Sequence, residues 1–276
     1  MIIDSSYIAG DNMDSAARQQ FLKDYTKIRH AEGRGSAKSA YYRELPDRDL
    51  SGRNPDQWRI RARSFHTFER TVLADAERRT GRALDVLDLG AGNGWMSHRL
   101  ALRGHRSVAL DIFCDALDGL GALAHYPLRF PAAAADFDFL PFRETAFDLV
   151  IFNSSFHYSA DYRRTLNEVR RCLRPGGRLV IMDSPVYRRS EHGEMMRAER
   201  QAHFEKTYGF RSDALKSIEY LDSRMLQELS CELNIEWQYN RPWYGFTWAL
   251  RPWRAMLQGQ RPPSRFLILA GRFRDQ

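Results

Sequence analysis

Three glycines close an apolar run in the segment VLDLGAGNGW, residues 86–95. Gly90, Gly92 and Gly94 alternate with other residues, a spacing that lets the backbone turn tightly and approach a ligand closely. Asp88 lies two residues before the first glycine. A carboxylate beside such a turn suits a ligand with a cationic amine and no pyrophosphate. The segment is therefore a candidate binding turn.

Two other kinds of glycine turn do not fit. The GxGxxG fingerprint of dinucleotide sites would place its third glycine at position 95, where this chain has Trp95. A bulky indole there would obstruct the close helix–strand packing that glycine permits. The phosphate-binding P-loop is also excluded, because no Gly-Lys-Ser or Gly-Lys-Thr follows.

Two further acids follow predicted strands. Asp111 closes the segment SVALD, about 20 residues beyond the glycines, where an acid at the second strand's end accepts from a ribose. It could also cap the helix that follows, and both roles are compatible. Asp136 and Phe137 lie in AADFDFLPF.

These landmarks, in this order, resemble the class I S-adenosylmethionine-dependent methyltransferases, whose first motif is (V/I/L)-L-(D/E)-x-G-x-G-x-G. FDLVIFNSSFHY and LNEVRRCLRPGGRLVI are similar to later motifs of that family. The resemblance covers residues 84–183 firmly and a strand pair near the C-terminus loosely. It implies S-adenosyl-L-methionine as cofactor, with Asp111 on the ribose, Asp136 on the adenine amino group and Phe137 over the ring. The implied cofactor-binding residues are Asp88, Gly90, Ala91, Gly92, Asp111, Ile112, Asp136, Phe137, Asn153 and, from a lid, Tyr42.

The elements that must position these residues alternate along the chain. From residue 84 onward, strand and helix patterns succeed each other with short connections, which predicts an α/β, doubly wound parallel sheet covered on both faces. The resemblance implies a Rossmann-like methyltransferase fold of seven mostly parallel strands in order 3-2-1-4-5-7-6, with strand 7 antiparallel. Residues 1–83 are predicted to form an N-terminal helical lid segment. Residues 84–276 would form the core, with an insert at about 185–221 after strand 5, in one structural domain.

Local patterns add detail outside the motifs. Apolar spacing predicts helices over residues 14–29 and 56–80, the second ended by Gly81. Residues 30–56 are interpreted as irregular. A helix over 222–232, capped by Asp222, is predicted to precede a final antiparallel strand pair.

The candidate general base is His157, just past the strand whose end would face the methyl group. Some small-molecule members of the resembled family carry a catalytic histidine near this point, and others carry one that only packs over the cofactor. Asn153 lacks the prolines of the (N/D)PP(Y/F) motif, since Ser154 and Ser155 follow it, and it is expected to orient the methionine end of the cofactor. The aromatic segment 242–257 is expected to shape the substrate pocket, or else to be a strand connection packed on the sheet.

Charge and composition bound the partners. The net charge is +7, and nearly all positive charge is arginine, with lysine only at positions 23, 27, 38, 206 and 216. Most arginines alternate with acids, as on solvated helix faces, except near the C-terminus. There is no run of about 18 apolar residues or signal peptide pattern, so neither membrane insertion nor secretion is expected. The three separated cysteines predict reduced thiols in a cytoplasm, without a metal site.

The sequence thus predicts a soluble, cytoplasmic methyltransferase that acts on a small molecule at oxygen, nitrogen or carbon. One alternative is an RNA methyltransferase, favoured by Arg241, Arg251, Arg254, Arg261 and Arg265. No recognisable RNA-binding appendage accompanies them, so nucleic acid is not the expected partner. The other alternative is a non-catalytic protein that binds the cofactor as a scaffold or sensor. No oligomeric state is predicted.

Overall fold

The computed structural model describes residues 15–211 and 216–274 of the chain. Within these residues, seven strands form one sheet and two short strands form a separate pair. The large sheet contains β1 (Asp85–Leu89), β2 (Arg106–Asp111), β3 (Ala132–Ala134), β4 (Phe147–Asn153), β5 (Leu173–Met182), β8 (Ile235–Asn240) and β9 (Ile268–Phe273). The pair contains β6 (Val186–Tyr187) and β7 (Leu221–Asp222).

The strand order of the large sheet is β3-β2-β1-β4-β5-β9-β8. The first five strands run parallel to their neighbours, and β9 runs antiparallel to both β5 and β8. Since β8 and β9 are the sixth and seventh strands of this sheet in chain order, the predicted order 3-2-1-4-5-7-6 is confirmed. The strands that follow β1 extend the sheet first to one side, with β2 and β3, and then to the other, with β4 and β5. This change of direction leaves a crevice at the carboxyl ends of the strands, where open α/β sheets bind ligands.

Helices cover both faces of the sheet. They are α1 (Ser15–Ala31), α2 (Ser39–Glu44), α3 (Pro55–Phe68), α4 (Ala74–Thr80), α5 (Trp95–Leu102), α6 (Tyr162–Cys172), α7 (Ser190–Tyr208), α8 (Ser223–Leu233), α9 (Phe246–Ala249) and α10 (Arg251–Leu257). A π-helical turn, Glu69–Leu73, joins α3 to α4, and 3-10 turns span Leu120–His125 and Phe156–Tyr158.

Alternate residues of β1 face two separate hydrophobic clusters. Leu87 and Leu89 pack in one cluster with residues of α6 and α8, and Val86 packs in the other with residues of α3 and α5. All five residues of β1 are buried, as expected for a parallel strand covered on both faces. The sheet is therefore a rigid platform for the loops at its carboxyl edge.

Most predicted elements outside the motifs are confirmed. Gly81 ends α4 with φ +63°, a left-handed conformation that glycine adopts without a steric penalty. The Asp222 carboxylate accepts the Met225 N–H at 2.8 Å and caps α8. The predicted start of the first helix at residue 14 lies outside the described residues.

Four predictions of local structure were wrong in part. Residues 30–56 include the short helix α2, which forms because Tyr41 and Tyr42 are buried. The pattern of CDALDGLGALAH, residues 114–125, favoured a weak helix, but residues 120–125 form a 3-10 turn. The helix before the Pro-Gly-Gly segment ends earlier, at Cys172, and β5 begins there with an irregular register toward β4. The polar pattern of the insert at about 185–221 predicted a helix throughout, but among the described residues only 190–208 are helical.

None of the described helices is long and apolar enough to cross a membrane.

Candidate functional site

A first cavity of about 490 Å³ opens at the carboxyl ends of β1, β2 and β4. Eight of the ten predicted cofactor-binding residues line it, namely Gly90, Ala91, Gly92, Asp111, Ile112, Asp136, Phe137 and Asn153. These residues come from four separate loops of the chain. The sheet topology therefore brings them to one place, as the sequence predicted.

The glycine turn is fixed to the end of β2 by its backbone. Gly90 and Ala91 donate to the Leu110 carbonyl at 2.8 and 3.0 Å, and the Gly92 N–H donates to the Asp111 carboxylate at 2.7 Å. Gly90 has φ +71°, and a Cβ there would lie 2.3 Å from the Ser155 Cβ. Only glycine fits at this position without moving β4's loop.

Asp111 is both a structural and an accessible carboxylate. Its second oxygen accepts the Phe113 N–H at 2.8 Å, so each oxygen holds one backbone donor and keeps a lone pair for a ligand hydroxyl. Burial raises the pKa of Asp111 to about 6. Phe137, which also lines the cavity, packs edge-on against Phe152 at 5.5 Å between ring centroids. The cavity wall thus offers an aromatic ring as well as a carboxylate.

Asn153 presents an unused acceptor to the first cavity. Its side chain is 9% exposed, and its Oδ1 atom is buried without a hydrogen-bond partner among the described residues. A buried amide oxygen without a partner is unfavourable unless a ligand donor satisfies it. This atom fits a cationic amine.

The structure places Asp88 outside the first cavity, contrary to its predicted contact with a ligand amine. Its Oδ2 atom accepts from the Ser97 N–H at 3.2 Å and from the Ser97 hydroxyl at 2.8 Å. Burial raises its pKa to about 7. Asp88 is fully buried and holds α5 behind the glycine turn, so it shapes the loop without lining the cavity.

Tyr42 is also placed away from the first cavity. Its hydroxyl donates toward the carbonyls of Ser36 and Leu117, at 2.7 and 2.6 Å, and its ring stacks on His125. Both ends of the side chain are therefore used in packing α2 against the Leu120–His125 turn. The lid is built by other residues.

Helices α1 and α3 form the cavity wall in the segment where a lid was predicted, and they are called the lid below. Ala17, Phe21, Tyr25 and Arg29 line the first cavity from α1, and Trp58 and Arg61 line it from α3. The apolar spacing of α1 correctly predicted a helix, but its face was not recognised as a ligand wall. That face could have been suspected because two of its large residues are aromatic.

Two arginines of the lid differ in their partners. Arg29 forms an ion pair with the buried Asp118, which fixes α1 across the cavity. Arg61 has no carboxylate within ion-pairing distance among the described residues. Burial, together with Arg34 and Arg29, lowers the pKa of Arg61 to about 10. An anion beside Arg61 would relieve this repulsion.

A second cavity of about 500 Å³ adjoins the first. The two share wall residues Phe21, Tyr25, Arg29, Arg61, Ser154, Tyr158 and Ser217. The second cavity extends toward the carboxyl end of β5, where Asp183, Phe204 of α7, Trp248 of α9 and Phe266 complete its wall. A molecule there would lie next to a ligand of the first cavity.

Asp183 is a buried acid with an unused oxygen at this second cavity. Its Oδ1 atom accepts from the Ser64 hydroxyl, which also lies 2.8 Å from the Tyr244 hydroxyl. Its Oδ2 atom has no hydrogen-bond partner among the described residues, and the residue is 6% exposed. Burial raises the pKa of Asp183 to about 6, a value suited to proton transfer near neutrality.

The backbone at Asp183 is in the left-handed region, with φ +53°. Ser154, which follows β4, has φ +59° and donates its N–H to the Met182 carbonyl at 2.8 Å. Adjacent strands therefore end in two strained turns that face the same cavity. Such conformations are uncommon for residues other than glycine and cluster at functional sites.

His157, the predicted base, lines neither cavity. Its Nδ1 atom lies 3.3 Å from the Ser184 hydroxyl, and burial, with Arg200 nearby, lowers its pKa to about 3. The next residue, Tyr158, faces both cavities instead. His157 and Tyr158 lie in a tight 3-10 turn, where neighbouring side chains point in different directions. The tyrosine therefore faces the cavities and the histidine does not.

The aromatic segment 242–257 contributes only one residue, Trp248, to the second cavity. Tyr244 is buried against Ser64, as described above. Trp243, Phe246 and Trp253 are 60%, 80% and 64% exposed. The expectation that the aromatic residues of this segment shape the substrate pocket therefore does not hold for these three, which are exposed to solvent.

Comparison with known proteins places the site in context. Residues 87–181 match the family model described as "Methyltransferase domain". The malonyl-[acyl-carrier protein] O-methyltransferase of Hahella chejuensis is 36% identical over 134 residues, covering 43% of this chain and 47% of that protein. The demethylmenaquinone methyltransferase of Corynebacterium urealyticum is 37% identical over 112 residues, covering 38% and 46%. The chain spans about half the length of these curated relatives.

Among solved structures, the fold is similar to that of 1,6-didemethyltoxoflavin-N1-methyltransferase of Burkholderia thailandensis, determined with 1,6-didemethyltoxoflavin and S-adenosylhomocysteine bound. The TM-score is 0.51 at 16% identity, covering 99% of this chain and 93% of that one. At this identity the likeness concerns the fold alone.

Proposed function

We propose that this chain is a class I S-adenosylmethionine-dependent methyltransferase that methylates a small molecule bound in the second cavity, and the match of residues 87–181 to the "Methyltransferase domain" family model supports this. The observation that carries the proposal is the shared wall of the two cavities. It would hold an acceptor directly beside the methyl donor, and proximity and alignment are the main requirements of an in-line displacement.

The first cavity fits the cofactor by the chemistry of its donors and acceptors. Asp111 would accept the ribose hydroxyls, and Phe137 and Asp136 would hold the adenine end. Asn153 Oδ1, buried without a partner, would accept from the cofactor's amine. Arg61 lines the same cavity, has no carboxylate within ion-pairing distance among the described residues, and would bind the cofactor's carboxylate.

When bound, S-adenosylmethionine supplies an electrophilic methyl group, whose bond to sulfur breaks as its bond to the acceptor forms, leaving S-adenosylhomocysteine. If the acceptor atom carries a proton, Asp183 would take it on Oδ2. Ser64 would hold the carboxylate in place through Oδ1. The proton would then pass from Asp183 to solvent, which restores the carboxylate.

A small acceptor fits this site better than RNA. The second cavity is lined by residues of α1, α3, α7 and α9, and its volume of about 500 Å³ matches those that hold small ligands. The arginines that favoured RNA are partly used within the protein, since Arg261 pairs with Glu199 at 2.8 Å and Arg251 stacks on Trp248.

Two measurements test the proposal. S-adenosylhomocysteine should bind in calorimetry, and Asp111→Ala should weaken its binding by roughly tenfold or more, since charge-assisted hydrogen bonds are lost. The control is Asp56→Asn, a change at an exposed position on α3.

Transfer is then followed with S-adenosylmethionine labelled on its methyl group, incubated with a small-metabolite fraction and, separately, with total RNA. Label in the small-metabolite fraction is expected. Label in RNA alone would contradict the proposal, and binding without transfer to either fraction would identify a non-catalytic protein.

A further inference from the structure

Helices α9 and α10 carry an apolar stripe that faces solvent. Phe246, Leu250, Trp253 and Leu257 are spaced at i, i+4, i+7 and i+11, which places them on one face of a helical path. They are 80%, 54%, 64% and 82% exposed. Amphipathic helices of globular proteins usually bury such an apolar face against the core, whereas here the apolar face points to solvent.

The orientation is fixed by packing on the inner side. Tyr244 and Ala255 are each 8% exposed, and Trp248 packs against Phe266 with ring centroids 5.5 Å apart. The segment is therefore held by buried contacts on its inner side, and the residues of the outward stripe take no part in them. Trp243 and Met256, 60% and 62% exposed, widen the stripe on either side.

The charged residues of the chain segment that carries the stripe have one sign. From Trp237 to Arg274 the sequence contains no Asp, Glu, Lys or His, and all its ionised side chains are arginines. Arg241 and Arg254 are exposed and have no carboxylate within ion-pairing distance among the described residues. Aromatic and aliphatic side chains beside unpaired arginines are typical of helices that lie in the interface of an anionic membrane.

We propose that this surface, formed by Trp243, Phe246, Leu250, Trp253, Met256 and Leu257 with Arg241 and Arg254, docks on an anionic phospholipid bilayer. The helices would lie in the headgroup region with the stripe toward the acyl chains and the guanidinium groups on lipid phosphates. The bilayer is favoured over a protein partner because its anionic phosphates complement Arg241 and Arg254, and its fluid apolar phase needs no complementary shape.

The docking surface borders the second cavity, since Trp248 lies on the same short helix as Phe246 and lines that cavity. The proposal goes beyond the proposed function and does not depend on it, because membrane binding can be measured without cofactor or acceptor.

The test is flotation with vesicles of phosphatidylcholine and of phosphatidylcholine mixed with phosphatidylglycerol. The wild-type protein should float with the mixed vesicles, less so at high salt. The triple variant Phe246→Ser, Trp253→Ser, Leu257→Ser should bind them roughly tenfold less or weaker still, because buried apolar area sets much of the affinity. The matched control is Leu102→Ser, which alters a 56% exposed leucine on α5 and should leave flotation unchanged.

A second variant tests the charge with the stripe intact. Arg241→Gln with Arg254→Gln should lower binding to the mixed vesicles by roughly tenfold and reduce its salt dependence. Circular dichroism and S-adenosylhomocysteine binding check that every variant is folded.

Three results would overturn the proposal: wild-type protein that does not float, flotation unaffected by the triple variant, or a dimer in sedimentation that the triple variant dissociates while no vesicle binding is seen. Binding to an acidic acyl-carrier protein without binding to vesicles would likewise assign the surface to a protein partner.

Discussion

Asp183 combines two unfavourable features, a left-handed backbone and a carboxylate oxygen buried without a partner. Each costs roughly 1–3 kcal/mol in a folded protein. Neither contributes to packing, so the position is best explained by the proton-accepting role proposed above. The consequence is a residue whose replacement should separate activity from stability.

Asp183→Asn should reduce kcat by roughly 100-fold or more, the usual contribution of general acid–base catalysis. In the wild-type protein, kcat/KM should rise as the pH increases through about 6, because Asp183 is protonated below that pH and cannot accept a proton. Initial rates over a pH series, with the acceptor found by the labelling experiment, measure both effects. Persistence of the same pH limb in the asparagine variant would assign it to another group.

His157→Gln is the matched control, since it alters a neighbouring buried side chain that lines neither cavity. In His157→Gln the rise of kcat/KM with pH near 6 should match that of the wild type. The affinity for S-adenosylhomocysteine should be unchanged in both Asp183→Asn and His157→Gln.

The same Asp183→Asn variant should be more stable than the wild type at alkaline pH. The folded-state pKa of about 6 lies above the unfolded value, so the stability associated with protonation is lost as the pH rises through 6. An asparagine stays neutral, so it should add roughly 1–3 kcal/mol at about pH 8 and almost nothing at about pH 4. Thermal unfolding of the ligand-free protein checks this. A lower melting temperature at both pH values would indicate a structural role instead.

The predictability of site residues from the sequence depended on local motifs. Asp111, Asp136 and the glycines were predicted because each lies in a motif at a strand end. Asp183 was not, because its partner Ser64 is 119 residues away and Tyr244 is 180 residues from that serine. Asp88 was placed wrongly because a motif identifies a residue without showing which way its side chain points.

At the scale of elements, α1 is the part of the lid with the clearest anchor. Its Arg29 meets the buried Asp118, and its Tyr25 contacts the rings of Phe113 and Tyr158, with centroids 5.0 and 6.2 Å apart. These contacts close the helix over both cavities. Loss of the anchor should therefore loosen the cavity wall.

Arg29→Gln should weaken S-adenosylhomocysteine binding by roughly tenfold, because it leaves the carboxylate of Asp118 buried without its partner. Calorimetry measures the affinity, and limited proteolysis should show faster cleavage within α1. Arg48→Gln, which removes an exposed pair with Glu44, should change neither. Unchanged affinity with normal protection of α1 would mean that the ion pair does not hold the lid.

The elements themselves were largely predictable. Strand–helix alternation and the PGG segment indicated the parallel part of the sheet, and the last two apolar runs indicated the antiparallel pair. The short helix α2 was missed because six residues without a side-chain cap give too weak a periodic signal, and burial of Tyr41 and Tyr42 stabilises it. Helix α10 was missed because its apolar residues face outward and were interpreted as pocket residues.

For the whole molecule, the two proposals assign different partners to different surfaces. The cofactor would bind in the first cavity, and the lipid bilayer would bind the outer face of α9 and α10. S-adenosylhomocysteine should slow hydrogen exchange in the glycine turn and in α1, and should leave α10 unaffected. Anionic vesicles should slow exchange in α9 and α10 and leave the glycine turn unaffected. Hydrogen exchange with mass spectrometry resolves both segments. Protection of α10 by the cofactor product would show that the two surfaces are coupled.

The all-arginine segment from Trp237 to Arg274 has one more consequence. Guanidinium groups keep their charge at every physiological pH, and lipid phosphodiesters remain ionised over the same range. Acidification from neutrality to below pH 6 would protonate Asp183 and stop methyl transfer while the electrostatic attraction to the bilayer stayed constant. The protein would then remain at the membrane as an inactive but ready enzyme, and recovery of activity would require only the loss of a proton and no new encounter with the surface.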